Sequence, residues 1–334
     1  MHPLRAAREA AALSQAALAT RAGVSRQLVG AVEAGRHQPR VDAAIALARV
    51  LGADVATLFT PAGAPVDVCS GRAPAPGSPV RVGRVRDRLV TAPARTVDDG
   101  FDAADAVVEP DGGLRRLADL RPGLVVAGCE PGLHLLEGLL RQAGSAAVGV
   151  TLPSSAAAAA LASGRVHAAV VHGPEDDDAP RPPAGVARLH LARWAVGLAA
   201  PLDAPAGWAD DVLGGRRPTV VRDPGAGVQH ALERASAAIG GSVLAGGHAQ
   251  THVAAVRTAL ATGTAGVTIE PAALAVGAAF HALEVHAAQL WVAQDLLDDD
   301  AVVEALEVLA GNGFLARLER VGGYDLAGTG TWAA

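Results

Sequence analysis

Between Leu124 and His172 the chain alternates between short apolar runs and helical stretches, and this restricts its fold more than any other feature. Leu124-Val125-Val126-Ala127-Gly128 reads as a buried strand, Cys129-Glu130-Pro131-Gly132 as a loop and Leu133 to Gln142 as a helix. Ala147 to Leu152 is a second strand, Pro153-Ser154-Ser155 opens an Ala-rich helix over 156–162, and Gly164-Arg165 turns into a third strand, Val166 to His172. A βαβαβ order demands parallel strands, right-handed crossovers and helices on the sheet faces. Strands continue at Ala192 to Ala200, Pro218 to Arg222, Ala265 to Ile269 and Gln289 to Ala293, with helices at Val228 to Ala238, Thr251 to Thr262, Pro271 to Val276 and Asp299 to Ala310. Acidic Glu175 to Asp178 and the Pro-rich 180–183 form an exposed loop. Two α/β lobes are the natural architecture for residues 120–330.

In open α/β sheets a ligand sits beyond the carboxyl ends of the strands, where loops feed helix N-termini. Three loops qualify: Gly128 to Gly132, Pro153 to Ser155 and Arg222 to Gly227. Their backbone N–H groups and the helix dipoles favour a negative group. The candidate ligand-binding residues are Gly128, Cys129, Glu130, Ser154, Ser155, Arg222, Asp223, Gly225, Ala226, Gly227 and, at the start of a further helix, His252.

Ahead of these lobes the character of the chain changes. The net charge of −6 argues at first sight against nucleic acid, but residues 1–60 hold seven Arg against four acids, leaving an excess of nine acids beyond them. The sign change marks a boundary. Residues 4–59 read as five short helices. Ser14 caps the second, Ala22-Gly23-Val24 interrupts, Ser25 caps the third, Gly35 ends it, and apolar stripes follow at Val41 to Leu51 and Asp54 to Phe59. Two helices joined by a short turn containing Gly form a helix-turn-helix. Residues 61–79, rich in Pro and Gly, read as a linker. Residues 80–119 read as a β-rich collar, with alternation over Val80 to Val85 and short strands at Arg88 to Ala92 and Ala104 to Val108. Its five Arg between 81 and 95 border a solvated strand face or support DNA.

Leu13-Ser14-Gln15, Leu18-Ala19, Ala22-Gly23-Val24-Ser25, Val32-Glu33-Ala34-Gly35 and Leu47 to Gly52 stand in the order and spacing of the phage-repressor-like (XRE) DNA-binding domains, which the head resembles over nearly all of 4–59. The resemblance implies that Gln15 holds a phosphate and that Ser25 caps the recognition helix. It implies that Arg26 and Gln27 face base edges and that Ala31 touches a thymine methyl. Arg36, His37 and Arg40 would approach the phosphate backbone. Arg8 and Glu33 match a family pair that forms an internal salt bridge. One such domain neutralises few phosphates, so a dimer on a palindromic operator is expected.

A second resemblance rests on Ala127 to Pro131 with Leu135-Leu136, Ser154-Ser155 ahead of Ala160 to Gly164, and His167 to His172. It extends through Arg222 to Gly227 and Thr251-His252 ahead of Ala261-Thr262-Gly263. These look like the type 2 periplasmic-binding-protein-like domain found behind XRE-type heads, which is similar to molybdate-binding proteins. The fold class implied is multidomain: an all-α five-helix helix-turn-helix head, a β-rich collar and a two-lobed α/β periplasmic-binding-protein-like domain. Where that group commonly shows Gly-Ser-Gly-Thr-Arg, this chain has Gly225, Ala226, Gly227, Val228 and Gln229, losing two hydroxyls and a guanidinium. A tetrahedral oxyanion needs many donors, so a carboxylate, a phosphate or another organic guest fits better.

Catalytic and metal sites are weakly indicated. His167 and His172 lie five apart, on opposite faces of a strand, and read as strand-end histidines bonded to backbone. Cys129 at a helix mouth suits a nucleophile, but nothing in the sequence sets a particular His beside it, and as a small apolar filler in a glycine-rich turn it needs no chemistry. Asp298 to Asp300 serve the next helix N-terminus. Cys69 and Cys129 lack metal-ligand spacing and are too few for a disulfide framework. No apolar segment is long enough for a membrane span, so a cytoplasmic protein without cofactor or metal is expected. The combination implies a ligand-responsive, dimeric, DNA-binding regulator rather than an enzyme. The rivals are an enzyme carrying a DNA-binding head, marked by an assembled Cys129–His pair, and a DNA-binding protein whose rear domain only dimerises.

Overall fold

The computed structural model describes residues 3–332 except 12, 34–36, 38, 54, 60–63, 95, 98–99, 102, 119–120 and 176–179. The chain forms two compact units, Met1–Pro65 with Pro110–Gly113, and Val66–Glu109 with Leu114–Ala334.

Among the described residues the first unit holds five helices: α1 (Pro3–Ala10), α2 (Gln15–Ala22), α3 (Arg26–Glu33), α4 (Val41–Leu51) and α5 (Val55–Phe59). Ser14 Oγ accepts the Ala17 N–H at 3.1 Å, which starts α2. Gly23 ends α2 at φ +66, a left-handed conformation that costs glycine nothing, and the Val24 N–H returns to the Ala19 carbonyl. Apolar residues at helical spacing turn inward. Leu4, Leu18, Val29, Val32, Leu47 and Leu58 are buried in one cluster, each contributing about 1.5–3 kcal/mol. The expected end of α3 at Gly35 lies outside the described residues, as does Asp54 at the expected start of α5.

The second unit opens with β1 (Val66–Asp67), β2 (Pro79–Val85), β3 (Arg88–Pro93), the two-residue pair β4 (Thr96–Val97) and β5 (Gly100–Phe101), β6 (Ala106–Val108) and β7 (Leu114–Arg116). Five of these form a sheet in the order β1-β3-β2-β6-β7. Residues 66–79, read from composition as linker, reach this sheet at Val66. Val68 is buried, and Asp67 accepts the Ser70 N–H at 2.7 Å to close a turn. Its Pro and Gly serve turns packed on a sheet, which composition does not separate from a free linker.

The α/β part follows with β8 (Arg121–Gly128), α6 (Gly132–Gln142), β9 (Ser145–Thr151), α7 (Ser154–Ala162), β10 (Ala168–Pro174) and β11 (Val186–Ala200). Next come α8 (Trp208–Leu213), β12 (Thr219–Val221), α9 (Gly227–Ala238), β13 (Ala245–His248), α10 (His252–Thr262), β14 (Ala265–Ile269) and α11 (Glu270–Val276). The chain closes with β15 (Ala279–Ala293), α12 (Asp300–Ala310) and α13 (Asn312–Val321). The strands run in the order β13-β12-β14-β11-β15-β10-β8-β9. β8 pairs in parallel with β9 and β10 in one lobe, and β12 in parallel with β13 and β14 in the other.

The two antiparallel 15-residue strands β11 and β15 cross the middle and belong to both lobes. Only their ends from Ala192 and Gln289 show as strand in the sequence pattern, because each carries incompletely buried polar residues before its apolar end. Their register slips between Val196 and Gly197, where a side chain would sit 2.1 Å from the His281 carbonyl oxygen, so only glycine fits.

The collar Arg residues do not form one solvated face. Arg81 is buried and ion-paired with Glu137 of α6, with a further bond to the Gly149 carbonyl. Arg86 pairs with Asp295, and Arg88 donates to the Ser163 carbonyl. They clamp the small sheet onto the first lobe. Among the described residues no helix is long and apolar enough to cross a membrane.

Candidate functional site

In the head, α3 buries Val29 and Val32 and leaves Arg26 and Gln27, in its first turn, exposed. Ser25 Oγ accepts the Leu28 N–H at 3.0 Å, so the helix starts where the sequence sets it. Beneath it Arg8 donates to Glu33 at 2.6 and 3.1 Å and to the Leu13 carbonyl at 2.7 Å. Gln15 Nε2 donates to Glu33 Oε2 at 2.8 Å, so the residue expected to hold a phosphate also ties α2 to α3. Ala31 is half-buried, and His37 and Arg40 are exposed; Arg36 lies outside the described residues.

In the α/β part, a cleft of about 670 Å³ opens between α7 and α9. Ser154, Ser155, Gly225 and Gly227 line it, together with His172, Arg181, His230, Arg234, His286 and Trp291. Among the described residues no acid lines its wall directly, and Glu284 lies against two of the lining residues, His286 and Arg234. α7 and α9 both start without a capping side chain, whereas α10 is capped by Thr251 and α12 by Asp299. Two helix N-termini with uncapped amides thus border one basic cavity, which suits an anion.

The floor of the cleft is a chain of side chains on the long strands. Diagonal neighbours on β10 and β15, His172 and His286, place their Nδ1 atoms 3.0 Å apart. His286 Nε2 lies 2.5 Å from Glu284 Oε1, which also accepts from Arg234 at 2.5 Å. Burial, with His286 and Arg222 nearby, pushes the His172 imidazole down to about 3. His172 is therefore not the backbone-bonded strand end that its position in the sequence suggests, since its ring bonds to a second histidine. His167 is that case, its Nδ1 accepting the Val125 N–H at 2.9 Å.

Cys129, Arg222 and His252 meet in a buried cluster that does not line the cleft. Arg222 donates to Cys129 Sγ at 3.0 Å, to His252 Nδ1 at 3.0 Å and to the Gln250 carbonyl at 2.8 Å. Cys129 Sγ is 3.3 Å from His252 Nε2, so the Cys–His contact that would mark an enzyme is present. Its wiring opposes that role. A guanidinium only donates, so His252 Nδ1 accepts, and neutral His252 carries its proton on the nitrogen facing sulfur, where a general base needs a lone pair. Burial, reinforced by Arg222, holds the His252 pKa well below its ordinary value, and burial pushes the Cys129 thiol up.

The remaining candidates turn elsewhere. Glu130 Oε1 accepts the Gly132 N–H at 2.8 Å and the Tyr324 hydroxyl at 2.5 Å, and burial pushes its pKa up to about 7. It lines a water-sized cavity of about 20 Å³ with Trp194 and Tyr324. At Gly128 a side chain would meet Val170 at 2.7 Å, so this glycine serves strand packing. Asp223 pairs with His248 at 3.1 Å on the surface, and Ala226 is buried at the start of α9. His230, Arg234, His286 and Trp291 escaped sequence reading because no local motif joins them. Knowing how far β15 extends would have revealed the His172–His286 pair through strand register.

Two family models match the chain, a helix-turn-helix domain over residues 2–58 and a PBP superfamily domain over 136–310. No match was found among curated proteins. Solved structures similar to the chain include the regulatory domain of MexT, a transcriptional activator in Pseudomonas aeruginosa, at 15% identity, covering 56% of this chain and 98% of that one, TM-score 0.45. Another is the tungstate ABC transporter from Geobacter sulfurreducens, at 11% identity, 60% and 100% coverage, TM-score 0.44. An ABC-type phosphate transport receptor from Vibrio cholerae is similar at 12% identity, 61% and 99% coverage, TM-score 0.40.

Proposed function

The chain belongs to the PBP superfamily and is a transcription regulator that joins a helix-turn-helix domain to a PBP-type ligand-binding domain; from that premise we propose that an organic anion in the α7/α9 cleft controls operator binding by a dimer. The observation that carries this reading is the cleft lining among the described residues: uncapped helix N-termini, two serine hydroxyls and the basic side chains Arg181, His230 and Arg234, the last of them shared with Glu284. Ala158, Ala162, Val171, Pro174, Pro183 and Trp291 supply apolar wall beside these donors. A carboxylate or phosphate ester with an apolar body suits such a cavity better than a bare tetrahedral oxyanion, which needs donors on all sides.

Arg26 and Gln27 read base edges in the major groove, Arg through guanine and Gln through adenine, while Gln15, Arg36, His37 and Arg40 hold phosphates. The cleft ligand shifts DNA occupancy only through different affinities for two arrangements of the heads. Arg222, Cys129 and His252 hold the two lobes together behind the ligand rather than contacting it.

Native mass spectrometry of the full chain tests both halves of the reading. A dimer carrying a small acid of one mass per chain is expected, with the acid lost in the Ser154→Ala/Ser155→Ala double variant. A monomer, or a ligand retained by the double variant, contradicts it.

A further inference from the structure

The hydrogen bonds of the cleft floor fix where its protons sit. A carboxylate only accepts, so His286 Nε2, 2.5 Å from Glu284, carries a proton. In neutral His286 the bare nitrogen is then Nδ1, and His172 Nδ1, 3.0 Å away, must donate to it. His172 is left with a bare Nε2. That atom can take up a proton without breaking either bond. Once it does, the proton between the two Nδ1 atoms can cross to His286. The charge then rests beside Glu284, and His172 keeps an Nε2–H.

We propose that the cleft takes up its organic anion together with one proton from solvent, received by the His172–His286 pair. The inference rests on the reading of the cleft as an anion site. Among the described residues, the charged and titratable groups around the pair are Glu284 on its own strand, His230 and Arg234 on α9, Arg181 beside the cleft, Arg222 after β12, His252 on α10 and Cys129 after β8. Burial first, and then the neighbouring cations, favour the neutral pair in the empty cleft, in keeping with the depressed pKa of His172. A bound anion offsets them and favours the imidazolium. Glu284 is bonded to the pair through His286 Nε2 and draws the charge to that ring.

The test uses the full chain with pyruvate, salicylate and benzenesulfonate, which stay ionised from pH 5 to 6, taking the one that raises the melting temperature most. Calorimetry in buffers of differing ionisation enthalpy should show uptake of close to one proton. Kd should rise by about five- to ten-fold from pH 5 to 6. Nitrogen NMR of labelled histidines should show both rings neutral without the anion and one imidazolium with it.

Glu284→Gln, at a half-buried position, should flatten the pH dependence, as should His286→Asn if it folds. Binding with no proton uptake and a flat Kd overturns the inference while leaving the anion site standing. An imidazolium already present in the empty cleft at pH 6 also overturns it. If none of the three anions binds, the anion reading of the cleft fails as well.

Discussion

Replacing Glu33 with Ala should destabilise the head, so that it melts early, and leave the α/β unit standing. Glu33 is the shared acceptor for Arg8 and Gln15, and the Glu33 and Arg8 side chains are only 4% and 10% exposed. Removing one partner of a buried pair costs about 3–5 kcal/mol, because the other charge stays desolvated. Arg8 lies just beneath the surface, so the low end, about 3 kcal/mol, applies. A domain of about sixty residues has about 3–9 kcal/mol in all. At about 4–8 °C per kcal/mol for so small a domain, the head should melt about 12–24 °C lower. Circular dichroism and limited proteolysis of the full chain would show an early transition confined to residues 1–65.

The same pair predicts a pH dependence. Burial opposes the Glu33 charge, but hydrogen bonds from Arg8 and Gln15 outweigh it and hold the carboxyl below its ordinary value. The stability it supplies is therefore full above the unfolded value of about 4.3 and lost as pH falls through the folded one. Wild type and Glu33→Ala should converge in acid. A fall in melting temperature below about 5 °C at pH 7 would show the pair to be screened like a surface bridge.

Changing Arg26 and Gln27 together to Ala should abolish sequence preference, at about 1–3 kcal/mol per lost base contact, with the melting profile unchanged; retained selectivity in a gel-shift competition would remove both from the base-reading face. At Gly227 a Cβ would sit 3.1 Å from His172 Cε1 and 3.5 Å from His286 Cε1. Gly227→Val should thus fill the cleft, cost about 1–3 kcal/mol and abolish ligand-induced stabilisation, and stabilisation that survives would move the ligand elsewhere. Glu130, raised to about 7 by burial, is favoured in its neutral form when folded, so its contribution is lost as pH rises from the unfolded value of about 4.3 to about 7. Glu130→Gln should remove that slope, visible as a stability gain over wild type that grows with pH in urea titrations. An unchanged pH profile would contradict the burial of that carboxyl.

The head was legible because its signals are local. Ser14, Gly23 and Ser25 fix two helix starts and the turn between them through bonds spanning three to five residues. The βαβαβ order around Gly128 was legible for the same reason, from apolar runs bounded by glycine and proline. The cleft was half legible. Ser154, Ser155, Gly225 and Gly227 could be named because they open helices after strands, whereas His172 and His286, 114 positions apart, meet only through the pairing of β10 with β15. Arg222 and Cys129 could be placed in cleft-side loops but not oriented, since two cleft-side loops turn these side chains toward each other rather than into the cavity. The collar misled because buried Arg81 looks, in sequence, like any Arg on an exposed strand; its partner Glu137 is 56 residues away.

Communication between cleft and head is most directly read by fluorescence anisotropy of a labelled operator, selected from random duplexes with the full chain. It would be titrated at fixed salt with and without a saturating cleft anion. The anion should change the operator Kd by at least five-fold in wild type and leave Gly227→Val unaffected. An operator Kd that stays the same when calorimetry shows the cleft to be full would contradict a ligand-controlled regulator.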